Sequence, residues 1–141
     1  MSPEDRARLR ATLEQAEGRR TTAYQDSRGV WTVGVGHNLA VPLSDAVVDH
    51  ILAEDILVAE KSLLDVAPWA FALEPARLAV FVELAFNMGG GGLAGFHRML
   101  EAAQAGDWAR AGAELLDSAY AKQVGRRAER LAAQLEGDRW A

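Results

Sequence analysis

The chain has 141 residues, half of them apolar and a quarter charged, enough for one folded domain with a real core and incompatible with wholesale disorder. It contains no cysteine, which excludes disulfide staples, thiol catalysis, Cys-ligated zinc and iron–sulfur clusters. The formal charge of −5 is uneven: residues 29–119 carry four basic and twelve acidic side chains, against six and five in residues 1–28 and five and three in residues 120–141. An acidic middle argues against nucleic acid as a partner, because that affinity comes mainly from neutralised phosphates.

In chain order, Ser2-Pro3-Glu4-Asp5 reads as a helix start. Ser2 caps, Pro3 suits the first helical position and Asp5 stands where a capping-box acid belongs. Leu9, Leu13 and Ala16 follow at helical spacing, and Gly18 is a natural stop. Tyr24-Gln25 then leads into the turn sequence Asp26-Ser27-Arg28-Gly29, and Val30-Trp31-Thr32-Val33 resumes with β-favouring residues, so a hairpin is expected here. Strand alternation sets Trp31 opposite Thr32 and assigns Trp31 to the core.

Pro42 and Ser44 precede a second helix over residues 45–64, with Val47, Val48, Ile51, Leu52, Ile56, Leu63 and Leu64 as its apolar positions. Ala67-Pro68-Trp69 breaks it. Glu74-Pro75 opens a third helix whose run from Leu78 to Phe86 is apolar on nearly every face except Glu83, as in a central buried helix. Gly89 to Gly92 reads as a break, either a mobile edge or a plain connector. Short helices follow to the end, divided at Gly106-Asp107, residues 117–125 and Gly137. No run of roughly 18 apolar residues exists, so membrane insertion is not expected. The charged start MSPEDRARLR lacks the apolar stretch of a secretory signal.

Chemistry concentrates in Glu17, Asp26 and Thr32. Glu17 closes the first helix, where the negative end of the dipole and any burial favour its protonated form. Asp26 sits in a turn, where backbone N–H donors favour its anion. Two carboxyls with opposed environments suit glycoside cleavage: one protonates the leaving oxygen while the other faces the oxocarbenium-like centre. The Thr32 hydroxyl is placed to hold an attacking water. By residue type alone, each of these is equally at home as an ordinary surface acid or strand threonine.

The block Glu17-Gly18, Tyr24-Gln25-Asp26 and Gly29-Val30-Trp31-Thr32-Val33-Gly34-Val35-Gly36-His37 resembles, without gaps, the signature of the phage-type lysozymes, the muramidase endolysins of tailed bacteriophages. Phe86-Asn87-Met88-Gly89, Gly92-Leu93-Ala94-Gly95-Phe96, Arg127-Ala128-Glu129-Arg130 and Trp140 extend the likeness over nearly the whole chain. The resemblance implies an α+β, mainly α, lysozyme-like fold of two lobes in one domain, residues 1–141. A small N-terminal β-hairpin belongs to a lobe of about 17–64, and a helical lobe of about 70–141 packs with the first helix. The short stretch after His37 implies a β part reduced to a hairpin or little more.

By the same resemblance Glu17 is the general acid, Asp26 the second carboxylate and Thr32 the water-positioning residue. The reaction implied is inverting hydrolysis of the β-1,4 bond between N-acetylmuramic acid and N-acetylglucosamine in peptidoglycan. Inversion requires the two carboxyls to stand about 6.5–9.5 Å apart. Asn87 and Phe96 match groove-lining positions, with a helix cap and a core side chain as their structural alternatives. Arg127 matches an arginine beside the catalytic Glu, and His37 a histidine paired with an acid on the following helix, at the position of Asp55. No metal or cofactor is expected. The partners implied are glycan strands and a holin-type permeabilising protein, for a monomer made in the host cytoplasm and acting on the wall as an endolysin. A non-catalytic wall-binding or tail-associated module and a lytic transglycosylase are the competing readings.

The remaining motifs are set aside. Gly34-Val35-Gly36 lacks the third glycine of a dinucleotide turn. His50 and Glu54, one helical turn apart, do not complete a zinc site. His97 stands alone. Arg126, Arg127 and Arg130 are expected in intramolecular ion pairs.

Overall fold

A computed structural model describes all residues, Met1–Ala141. Seven helices and one three-stranded antiparallel sheet make the chain mainly α with some β, as expected. The chain forms two compact units, Met1–Val48 and Asp49–Ala141.

In the first unit, α1 (Pro3–Glu17) starts on the expected capping box: the Ser2 hydroxyl accepts from Asp5 N at 3.1 Å, and the Asp5 carboxylate accepts from Ser2 N at 3.3 Å. Gly18, at φ +77°, closes the helix. Strand β1 (Arg20–Gln25) pairs antiparallel with β2 (Trp31–Gly34), with Tyr24 opposite Thr32 and Gln25 opposite Trp31. The connecting turn is fastened by Asp26 N donating to Val30 O at 2.9 Å, with Gly29 at φ +77°. A two-residue strand β3 (His37–Asn38) adds to β2 beyond the expected hairpin, Val33 opposite His37.

The alternation of Trp31 and Thr32 is present, but with the sides exchanged. Thr32 is buried at 4 % exposure and Trp31 stands out at 55 %, so Trp31 is not a core residue. Alternation sets opposition and leaves open which face of a sheet is covered. Thr32 is the single fully buried residue of this unit. The apolar positions Leu9 and Leu13 of α1 are about half exposed, and α1 buries no side chain.

Helix α2 (Asp45–Val66) covers the predicted second helix and extends it by two residues. Of its apolar positions only Leu63, with Ala59 beside it, is fully buried; Val47, Val48, Ile51, Leu52, Ile56 and Leu64 are partly exposed. A 3-10 turn, Pro68–Ala72, breaks the chain where Pro68 was expected to do so. Helix α3 (Pro75–Ala94) runs through the second unit, burying Val80, Phe81, Leu84, Ala85 and Leu93. Around it lie α4 (His97–Gln104), α5 (Trp108–Leu116), α6 (Ala119–Val124) and α7 (Arg126–Gly137). Met99, Ala102, Ala111, Leu115, Leu131 and Leu135 complete one continuous apolar core.

The break expected over the glycine run is confined to one residue, and the rest of the run is helical. Only Gly89 leaves the helical region, at φ +70° and ψ 174°, and α3 resumes after this kink. The resumed turn carries Leu93 into the core with no exposed surface, and that burial offsets the low helix propensity of glycine. Gly90 also lies close to α2, where an added Cβ would meet Ser62 Cβ at 3.4 Å.

Candidate active site

Glu17, Asp26 and Thr32 come from three different elements of the first unit: the C-terminus of α1, the β1–β2 turn and strand β2. All three line one cleft of about 890 Å³, together with Tyr24, Val35, Gly36 and Asn38. Every lining residue belongs to Met1–Val48.

Asp26 is held as an anion by its turn. Its Oδ1 accepts from Arg28 N at 2.8 Å and Val30 N at 2.9 Å, while Arg28 Nη2 stands 4.0 Å from Oδ2. The backbone donors of Val30 and Arg28 hold the carboxyl below the usual carboxylate range, with a smaller contribution from the Arg28 charge. Because both backbone donors use Oδ1, Oδ2 keeps its lone pairs for a reacting water.

The Thr32 hydroxyl donates to Val30 O at 2.9 Å. Its proton is thus engaged, and its lone pairs are left to accept from water. Glu17 is exposed, and Gly36 is pressed against its carboxyl: a Cβ on Gly36 would lie 3.1 Å from Glu17 Oε2. Gly36 sits at φ +69°, a conformation that favours glycine, and a side chain there would push the Glu17 carboxyl aside. Spacing alone did not single out Gly36; its signal was its place in the Gly-x-Gly-His end of the block.

The other predicted residues fall elsewhere. His37 lies on β3 with Nε2 buried and without a hydrogen-bond partner. Asp55, exposed on α2, borders a shallow recess with Ser62 and Gly89 in the second unit. Asn87 is exposed on α3, and its Nδ2 donates to Glu83 O at 2.9 Å and to the Tyr120 hydroxyl at 3.4 Å. It bonds within its own helix and does not cap it. Phe96 packs against the core and meets Tyr120 edge-on, ring centroids 6.3 Å apart. Tyr120 therefore joins Asn87 to Phe96, a link that no sequence pattern indicated.

Arg127 takes Glu83 as its carboxylate partner, Nε to Oε1 at 2.7 Å, and Arg130 donates to the same oxygen. The expected ion pairing is present for Arg127 and Arg130, made through the lone acid of the apolar helix, whereas Arg126 forms no ion pair. Burial pushes the Glu83 carboxyl up, but the hydrogen bonds and charges of Arg130 and Arg127 outweigh it and hold it below the ordinary range.

Comparison with known proteins places this geometry in a lineage. The chain is similar to the pre-baseplate central spike protein Gp5 of Enterobacteria phage T4, 30% identical over 148 aligned positions that cover 84% of this chain and 26% of that protein. The chain thus spans about a quarter of that relative's length. The family model described as phage lysozyme matches residues 14–135, a span that begins just before Glu17 and contains Asp26, Thr32 and the whole helical core. The chain belongs to the phage lysozyme family.

Proposed function

We propose that this protein is a peptidoglycan muramidase, with Glu17 as general acid, Asp26 as the second carboxylate and Thr32 as the water-positioning residue. One observation carries the reading: an exposed carboxyl, a turn-held carboxylate and a hydroxyl with free lone pairs line a single cleft. In the reaction, Glu17 gives its proton to the glycosidic oxygen as the C–O bond to that leaving group breaks. A water held by Thr32 forms the new C–O bond on the opposite face and passes its proton to Asp26. The bond cleaved is the β-1,4 link between N-acetylmuramic acid and N-acetylglucosamine, with inversion. Asn87 and Phe96 belong to the reading as substrate-binding residues, and Arg127, His37 and Asp55 as supporting ones. Its biological setting is phage-mediated lysis as an endolysin, with holin-dependent release and the bacterial wall as the place of action.

Mass spectrometry of muropeptides after digestion tests this directly. The expected products carry new reducing N-acetylmuramic ends, and Glu17→Gln lowers their release by about 10²–10⁴-fold, the usual contribution of general acid–base catalysis. Anhydro-muramic ends would replace hydrolysis by transglycosylation. The likeness to a baseplate spike favours a second reading, a particle-borne wall module. Protein that pellets with peptidoglycan while releasing no products would favour that module without catalysis.

A further inference from the structure

Beside the proposed catalytic groups, the cleft in the first unit is lined by charged side chains of α1 and the segments that follow it. Four guanidinium groups, Arg6, Arg10, Arg19 and Arg28, line it with three carboxyls, Glu14, Glu17 and Asp26, in a chain whose net charge is −5. Four guanidinium groups against three carboxyls give the cleft a positive balance.

The arginines are also ordered. Arg6, Arg10, Glu14 and Glu17 fall at i, i+4, i+8 and i+11 on α1 and form one stripe that ends at the proposed proton donor. Glu14 Oε1 accepts from Arg10 Nε at 3.4 Å and from Arg19 Nη1 at 3.1 Å, so one carboxylate oxygen holds two guanidinium groups side by side. Each keeps most of its donors unused, and both side chains are largely exposed. Arg6 has no carboxylate within salt-bridge distance.

We propose that this stripe is a carboxylate-binding subsite for the peptide arm of the substrate. The inference rests on the muramidase reading, which puts a lactyl-bearing sugar beside Glu17. From Arg6 to Glu17 the stripe runs about 16 Å at a helical rise of about 1.5 Å per residue. A stem of four residues, extended at about 3.3–3.6 Å each, covers about 13–14 Å. Its free carboxylates, on the acidic side chain and at the terminus, meet Arg10 and Arg19, whose planar guanidinium groups suit two-point pairing with a carboxylate. Arg6 extends the subsite toward the far end of the stem.

Binding to the full chain carrying Glu17→Gln tests this without relying on turnover. The probes are a muramyl disaccharide-tetrapeptide, the same compound with its carboxyls amidated, and the bare disaccharide. The carboxylated form is expected to bind on the order of 10-fold tighter than either of the others, the modest gain of two exposed ion pairs, with the difference shrinking in high salt. Adding Arg10→Ala with Arg19→Ala to the Glu17→Gln chain is expected to erase that difference and leave bare-disaccharide affinity and the circular dichroism spectrum unchanged. Equal affinity for all three probes, or discrimination that survives the double substitution, would overturn the proposal. Should the muramidase reading fail, the wild type releases no reducing ends and the bare disaccharide does not bind; failure of the subsite alone leaves both intact.

Discussion

At the scale of single residues, the cleft depends on contacts that tolerate little change. Gly36 adopts a positive φ, and a Cβ there would lie 3.1 Å from Glu17 Oε2, so Gly36→Ala imposes backbone strain and displaces the acid together. We expect a stability loss of about 1–2 kcal/mol and a fall in turnover of roughly 10- to 100-fold, read by thermal melts beside product release. Full turnover in a destabilised Gly36→Ala protein would remove this glycine from the site. Asp26 permits a cleaner separation of charge from shape. In Asp26→Asn the amide oxygen still accepts from Arg28 N and Val30 N, so the hairpin persists while the anion is gone. Because the folded pKa of Asp26 lies below its ordinary value, its charge adds stability above the unfolded pKa. That contribution disappears as pH falls through the folded value. The wild type should therefore melt above Asp26→Asn at pH 7, and the two curves should converge in acid once pH has fallen below the folded value.

At the scale of elements, the helical unit is tied by two arginine clamps that join α3 to α7. Glu83 is the lone acid of an apolar helix, and Arg127 and Arg130 from α7 share its Oε1. Its lowered pKa gives a stabilisation that is complete above the unfolded value near ~4.3 and is lost as pH falls through the folded one. Glu83→Gln should cost about 1–2 kcal/mol at neutral pH, discounted for partial exposure, and almost nothing in strong acid; an equal cost at both pH values would show that shape and not charge matters. The second clamp is Arg77. It lies 4.1 Å over the Trp108 ring and donates to Leu135 O at 2.8 Å, Glu136 O at 3.3 Å and Asp138 Oδ2 at 3.2 Å, satisfying carbonyls at the end of α7. Arg77→Ala should cost about 2–3 kcal/mol in denaturant melts, and Arg77→Lys should restore little of it, since an ammonium lacks the fork.

At the scale of the whole molecule, burial is unequal. The first unit buries one side chain fully, Thr32, whereas the second holds a continuous apolar core from Ala59 to Leu135. A segment of fewer than about 50 residues with so little buried apolar surface has low local stability. Amide hydrogen exchange should therefore be faster in β1–β3 than in the buried stretches of α3 and α7; matched protection factors would show that the sheet opens only with the global fold.

The most specific part of the likeness to the lysozyme family, Glu17 to His37, lies in one short stretch of sequence, and the features that local physics sets are as local. The Ser2–Asp5 capping box, the Gly18 stop, the Asp26–Gly29 turn and its anionic aspartate, and the breaks at Pro68 and Pro75 were all legible, because each is fixed within a few residues by capping or turn chemistry. The proposed catalytic trio was legible as a pattern; that its members share one cleft was not, since that depends on how α1 meets the sheet. Four other outcomes depended on partners distant in sequence: Thr32 buried in place of Trp31, a glycine run that returns to helix to bury Leu93, Glu83 as the acid that holds Arg127, and Gly36 against Glu17. Sequence by itself determined the elements and the kinds of chemistry they carry, because those follow from short-range sterics and hydrogen bonding. Tertiary structure alone decided which faces are covered and which charges meet, because burial and ion pairing join residues that nothing in the local pattern brings together.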